Sequence, residues 1–239
     1  FWRKVAAGNR IGVDETTGTV EIDASGNVTG TGTNFTSDMV GRGFKAAGHT
    51  KWYRVKQVNS ATSMVIEDDL DDVPSTYTGG AISAGASYVV EAVSPLTITP
   101  SNLVEVISRI NTILDNHEVP QQDRFLVVPP AIANLIPLSD KVLLSVPAAY
   151  DELVKRGFIT ELYGIKIFKS ARVEGDNDNG YHCLAGTRHF LTFADRLLHA
   201  RIEEDLIGNF GVAYKDLYVY GAKVADERKK FGVELFAKV

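Results

Sequence analysis

The chain has 239 residues, 44% of them hydrophobic and 23% charged, with a formal net charge of −5 at pH 7. That length suits one or two domains with a packed core, and the mixture is that of an ordinary globular protein. The negative balance excludes a broad basic field for gripping a nucleic-acid backbone, no run approaches the ~20 apolar residues of a bilayer span, and no signal peptide is visible.

Residues 1–15 read as an N-terminal arm. Phe1, Trp2, Arg3 and Lys4 set aromatic and basic side chains side by side. Exposed aromatics near a terminus call for a partner surface, so these four are the candidate inter-subunit contacts. The opening Phe1, in place of Met, fits a processed product or a stretch of a longer one.

From 16 to 93 Thr, Ser and Gly dominate, and short alternating segments sit between turn signals, which predicts an all-β module. Val20 and Ile22 face one way, Thr19 and Glu21 the other. Tyr53 and Val55 alternate with Arg54 and Lys56. With Val65, Ile66 and Val89 they are the expected core of a small sandwich or barrel, inserted or appended. One helical turn is expected near Asp38 to Val40. Ser94-Pro95 and Thr99-Pro100 read as an extended joint.

The stretch 99–118 predicts the longest helix. Thr99 can cap it and Pro100 can open it, where a missing N–H is no loss. Leu103, Val106, Ile107, Ile110, Ile113 and Leu114 recur at helical spacing as one apolar stripe, and Pro120 forbids extension. Such a helix would be roughly 27 Å long. Phe125 to Val128 is a continuous apolar run of the kind buried strands show. Pro129-Pro130 should open a short helix through Ile136, and Ala148 to Arg156 reads as a second helix with Gly157 at its C-terminal cap. Ile165 and Ile167 mark a strand, and 182–193 reads as another. Asp195 to about Leu206 reads as a helix. Tyr214 to Val224 and Phe231 to Val239 read as strands around the charged turn 226–230.

Chemistry-bearing clusters dissolve on inspection. His182, Cys183 and His189 do not converge along a strand, and a structural zinc site needs about four ligands. Asp176-Asn177-Asp178-Asn179-Gly180 resembles the start of a calcium loop, but glycine falls one place early and position twelve is Thr187. Asp68, Asp69, Asp71 and Asp72 read as a solvated turn that discourages edge pairing. Gly30-Thr31-Gly32-Thr33 lacks the rest of a nucleotide fingerprint. Glu203, Glu204 and Asp205 point apart on a helix. Cys183, the lone cysteine, excludes an internal disulfide framework, fits a reducing compartment and has no nucleophile signature. No catalytic, cofactor-binding or metal residue is assigned, no cofactor is called for, and the chain is not expected to be an enzyme.

The order of a long helix, a Val-Pro stop and "DRFLVVPP", followed by "GFITELYGIKIFKS" (157–170), "HFLTFADRL" (189–197) and "LYVYGAKV" (217–224), resembles the major capsid proteins of tailed bacteriophages, with their Hong Kong 97-type (HK-97) fold. The resemblance covers about 140 residues. It implies an α+β class, with an HK-97-type core at 94–239 (peripheral and axial domains) built on a spine helix at 99–118 carried by Leu103, Val106, Ile107, Ile110 and Leu114. It further implies a structural subunit of a phage head that self-assembles into an icosahedral shell around the genome. Its partners would be other copies of itself in capsomers and shell, with scaffold, portal or decoration proteins beside them. DNA would be enclosed without sequence-specific binding and no membrane would be involved. The place would be the virion, after assembly in the host cytoplasm. Family members are often trimmed at the N-terminus, which accords with Phe1. The stretch "VTGTGTNFTSDMVGRGF … WYRVKQVNSATSMVIEDDL … GASYVV" looks like β modules found among phage structural proteins. The alternative is therefore a virion attachment or decoration protein whose module binds a glycan, through Trp52, Tyr53 and Tyr77, or another virion protein.

Overall fold

The computed structural model describes residues 1–71, 75–139, 161–203 and 213–239. These form three sheets. The first holds β1 (Arg10–Ile11), β10 (Leu96–Thr97), β11 (Arg124–Val128), β12 (Glu161–Leu162), β13 (Ile165–Lys169), β14 (Gly175–Asp176), β15 (Gly180–Gly186) and β18 (Gly232–Lys238). Its main path runs β1-β18-β15-β11-β13-β12. The pairing is mixed: β1 and β10 lie parallel to β18, β11 lies parallel to β13, and β15 runs antiparallel to both β11 and β18.

The helix α1 (Leu103–Asn116) crosses one face of this sheet. Its Leu103, Val106, Ile107, Ile110 and Leu114 are buried together with Leu126, Val128, Ile165, Ile167, Val233 and Leu235. The apolar stripe predicted from spacing is thus the face that packs. The expected α+β, HK-97-type fold is not what the chain adopts: among the described residues strand far outweighs helix, in three sheets, and no long spine helix is present.

Both ends of α1 show why it is shorter than 99–118. At the start, Asn102 Oδ1 accepts the Thr99 N–H at 2.9 Å while Asn102 Nδ2 donates to the Thr97 carbonyl, so 99–102 is held as a turn. At the end, Glu118 N donates to Asp115 O and Val119 N to Leu114 O, with Glu118 left-handed at φ +55. That is the Schellman closure, and Val119 packs back into the same core as Leu114.

The second sheet is the β module: β2 (Val13–Glu15), β3 (Thr19–Ile22), β4 (Asn27–Thr31), β5 (Gly43–Ala46), β6 (Tyr53–Ser60), β7 (Ser63–Glu67), β8 (Ile82–Ala86) and β9 (Tyr88–Ser94). It is one antiparallel sheet in the order β2-β9-β5-β6-β7-β4-β3-β8. Val20, Ile22, Val28, Phe44, Tyr53 and Val55 meet in a single core. Ile66 is buried as expected, whereas Val65 and Val89, also expected inside, are only half-buried, and their neighbours Met64 and Val90 face inward instead. The turn expected near Asp38 is a 3₁₀ turn at Ser37–Met39. Residues 10–15, read as part of the arm, are strands of both sheets.

The third sheet is a hairpin of β16 (Thr192–Glu203) and β17 (Ala213–Lys223), which pair with each other only. Here the expected helix from Asp195 is a strand: cross-strand pairing with Tyr214 to Lys223 overrides a weak local preference. The remaining helical pieces among the described residues are α2 (Pro130–Ala133) and 3₁₀ turns at Trp2–Lys4, Ile136–Leu138 and Asp226–Phe231. The helix expected at Ala148 to Arg156, residues 157–160 of the capsid-like run, Asp72, Glu204 and Asp205 lie outside the described residues.

Candidate functional site

Among the described residues, the hairpin is the sheet that the rest of the fold leaves uncovered. Register assigns its two faces: Phe193 opposes Ala222, Asp195 opposes Tyr220, and Leu197 opposes Tyr218. The ladder shifts between Leu197 and His199, then continues with Ala200 opposite Asp216 and Ile202 opposite Tyr214. One face therefore carries Phe193, Leu197, Ile202, Tyr214, Tyr218 and Tyr220. The other carries Arg196, Arg201, Lys215, Leu217, Val219 and Lys223.

Ring contacts agree with the register. Phe193 and Tyr220 stack with centroids 6.3 Å apart, and Tyr218 lies 6.0 Å from Tyr220. The Tyr218 hydroxyl donates to Asp195, which raises the phenol above its ordinary value. The apolar side chains stay in solvent all the same: Tyr220 is 69% exposed, Tyr214 65% and Phe193 57%. More than half of the exposed large apolar side chains among the described residues lie on this hairpin. An isolated two-stranded ribbon is marginal in water, and a contiguous apolar patch of this kind marks a contact surface.

A second constellation joins the module to the core sheet. Along β18, Val233, Leu235 and Ala237 lie under α1, whereas Glu234 and Phe236 face the module and the chain's first residues. Glu234, fully buried, lies 2.9 Å from Arg10 Nε, 3.0 Å from Arg42 Nη1 and 2.7 Å from His182 Nδ1. Glu91 on β9 pairs with Arg10 at 3.2 Å and accepts the backbone N–H groups of Gly8, Arg10 and Gly43. Gly43 is needed there, because a Cβ would come within 2.2 Å of the Glu91 carboxylate. Burial pushes Glu91 up to about 7 despite Arg10 and the backbone donors. The module supplies Arg42 and Glu91, and the core sheet supplies Arg10, Glu234 and His182.

The four candidate inter-subunit residues lie beside this joint. Phe1 is exposed. Trp2 stacks on His182 at 3.6 Å, and His182 stacks on Phe236 at 4.4 Å. Trp2 Nε1 donates to Glu174 at 2.6 Å. Arg3 reaches Glu174 at 3.4 Å and Lys4 reaches Asp71 at 3.0 Å. An open cleft of about 980 Å³ lies between these residues and the module.

Asp69 and Asp71, read as a solvated turn, form a second tie. Lys229 is buried against Asp69, Asp71 and Asp226. Burial works against its charge, yet the three carboxylates hold its proton above the ordinary lysine range. Asp68 pairs with Lys51 at 3.0 Å.

The other singled-out residues are structural. Asp176 accepts from the N–H groups of Asp178 and Asn179 and from the Asn179 amide, which holds its carboxyl below the usual range. Burial pushes the Cys183 thiol up to about 12. Tyr53 and Tyr77 are buried, with rings 4.9 Å apart, and so present no stacking surface for a sugar. Among the described residues no three His, Cys, Asp or Glu side chains gather at a metal-binding distance. The sequence reading missed Glu234, Glu91 and the apolar hairpin. A lone carboxylate inside "GVELFA" is the one local signal that could have flagged Glu234.

No protein-family model matches the chain, and no curated protein matches it. Among solved structures, a chain described as Mycobacterium phage Che8 is similar with a TM-score of 0.44 and 21% identity, over 59% of this chain and 50% of that one. A chain described as the capsid structure of the Cyanophage P-SCSP1u has a TM-score of 0.41 and 13% identity, over 59% and 47%. The chain thus spans about half the length of these two solved chains.

Proposed function

We propose that this chain is a structural protein of a phage virion, a subunit that associates with many copies of itself into the shell around the genome. The observation that carries the reading is the β16–β17 hairpin, whose aromatic and aliphatic face has no cover among the described residues. A subunit built for assembly has reason to keep such a surface; a monomeric protein would hide it. The order of segments from "DRFLVVPP" to "LYVYGAKV" supports the same reading. So does the net charge of −5, which suits a container that must not hold its cargo's backbone tightly. Scaffold, portal or decoration proteins are the further partners this role entails, and the role is mechanical, without catalysis.

A glycan-binding attachment role has less support, since Tyr53 and Tyr77 are core residues. Electron microscopy and sedimentation of the purified chain test the proposal. Closed particles or capsomer-sized oligomers are expected under some condition, crowding included. A strictly monomeric species in every condition would overturn it.

A further inference from the structure

We propose that the hairpins of neighbouring copies stack front to back, the aromatic face of one β16–β17 ribbon seated on the cationic face of the next. This rests on the assembly reading above and names the contact through which assembly proceeds.

Size is the first argument. Phe193, Leu197, Ile202, Tyr214, Tyr218 and Tyr220 are each 50–69% exposed. Aromatic side chains bury about 150–250 Å² each and aliphatic ones less, so this face offers on the order of 600 Å², near the roughly 800 Å² per partner of a stable interface. Charge is the second argument. The aromatic face carries Asp195 and Asp216, whereas the opposite face carries Arg196, Arg201, Lys215 and Lys223 around Leu217 and Val219. Front-to-back stacking sets carboxylates against cations and apolar centre against apolar centre. Two aromatic faces meeting about a two-fold axis would instead bring the carboxylates Asp195 and Asp216 of both copies into one desolvated contact, which opposes that pairing. A polyanion on the cationic face would leave the aromatic face in water.

The consequence concerns symmetry. A front-to-back contact uses different surfaces on the two partners, so each copy can bind two neighbours, and the series closes into a ring when the rotation allows. A face-to-face contact would stop at a dimer.

The test uses the full chain and two variants, Tyr220→Asp on the aromatic face and Val219→Asp on the cationic face. Each alone is expected to self-associate about tenfold more weakly or worse than wild type in sedimentation velocity. Mixed one to one, they retain a single good pair of faces and should give a dimer that grows no further. Tyr220→Cys and Val219→Cys supply a readout that tolerates partial loss of assembly. A short bismaleimide should link the two variants to each other and neither to itself, with Cys183 buried and inert. Unchanged assembly of Val219→Asp, or self-linking of Tyr220→Cys, overturns the stacking and leaves the shell reading standing. A wild type that remains monomeric while a nucleic acid or another protein binds the hairpin overturns both.

Discussion

Glu91 and Asp71 give the stability of this protein opposite pH dependences, because one carboxylate is buried among too few charges and the other among ample cations. Glu91 is raised from 4.5 to about 7, first by burial. Between those values the folded chain binds the extra proton, so this group's contribution to stability falls as pH rises through 7. The size is on the order of 3 kcal/mol. Burial acts on Asp71 in the same sense, but hydrogen bonds from Arg54, Lys4 and Lys229 outweigh it and hold its carboxyl well below the usual range. Its contribution is present above its ordinary value of 3.8 and is lost as pH falls below it. Thermal melts should therefore peak near the ordinary carboxylate values, 3.8 and 4.5, and decline from there toward pH 7, and Glu91→Gln should flatten that decline. A melting profile of the variant with the same decline as wild type would show that another group is responsible. Glu234→Ala strands Arg42 in a buried site and leaves Arg10 with Glu91 as its one carboxylate partner, and it should cost about 3–5 kcal/mol by chemical denaturation.

Among the elements, α1 and the hairpin are opposites in what holds them. Ile110 is fully buried at the middle of the α1 stripe, so Ile110→Asp places an unpaired charge in the core and should destabilise by several kcal/mol. An unchanged melting temperature would mean that the stripe does not pack. At the other end of α1, Glu118 holds the left-handed position that closes the helix. Glycine adopts that conformation without a Cβ penalty, and Glu118→Gly should be neutral or stabilising by up to about 1 kcal/mol. Among the described residues the hairpin has no such core behind it. A peptide spanning it should be largely unstructured by circular dichroism, whereas the same strands gain protection from amide exchange when the full chain assembles.

For the molecule as a whole, the joint between module and core sheet decides how separable the two are. The alternating core of the β module is sufficient to predict that residues 13–94 retain their sheet when excised. Excision nevertheless removes Arg10 from Glu91 and Glu234 from Arg42, two pairs that close only when both parts are present. The excised module should fold with a dispersed amide spectrum and melt well below the module within the full chain. A module disordered by NMR would show instead that the core sheet completes it.

Local pattern alone settled the elements whose environment repeats at the period of their own backbone. Val20 and Ile22, Tyr53 and Val55, and the α1 stripe from Leu103 to Leu114 all point inward as their spacing required, because one face of each meets a continuous core. Where the environment came from distant chain, the pattern was mute or misleading. "DRLLHARIE" pairs as a strand because Tyr214 to Lys223 lies alongside it, although its apolar spacing is compatible with a helix. Thr99 and Pro100 do open the first turn, since the Thr99 carbonyl accepts the Asn102 and Leu103 N–H groups and Asn102 Oδ1 accepts the Thr99 N–H, but regular helix begins only at Leu103. The charges that matter most were the least legible. Arg10, Arg42, Glu91 and Glu234 are ordinary surface residue types until tertiary structure removes the water around them and leaves one another, His182 and nearby backbone groups as partners.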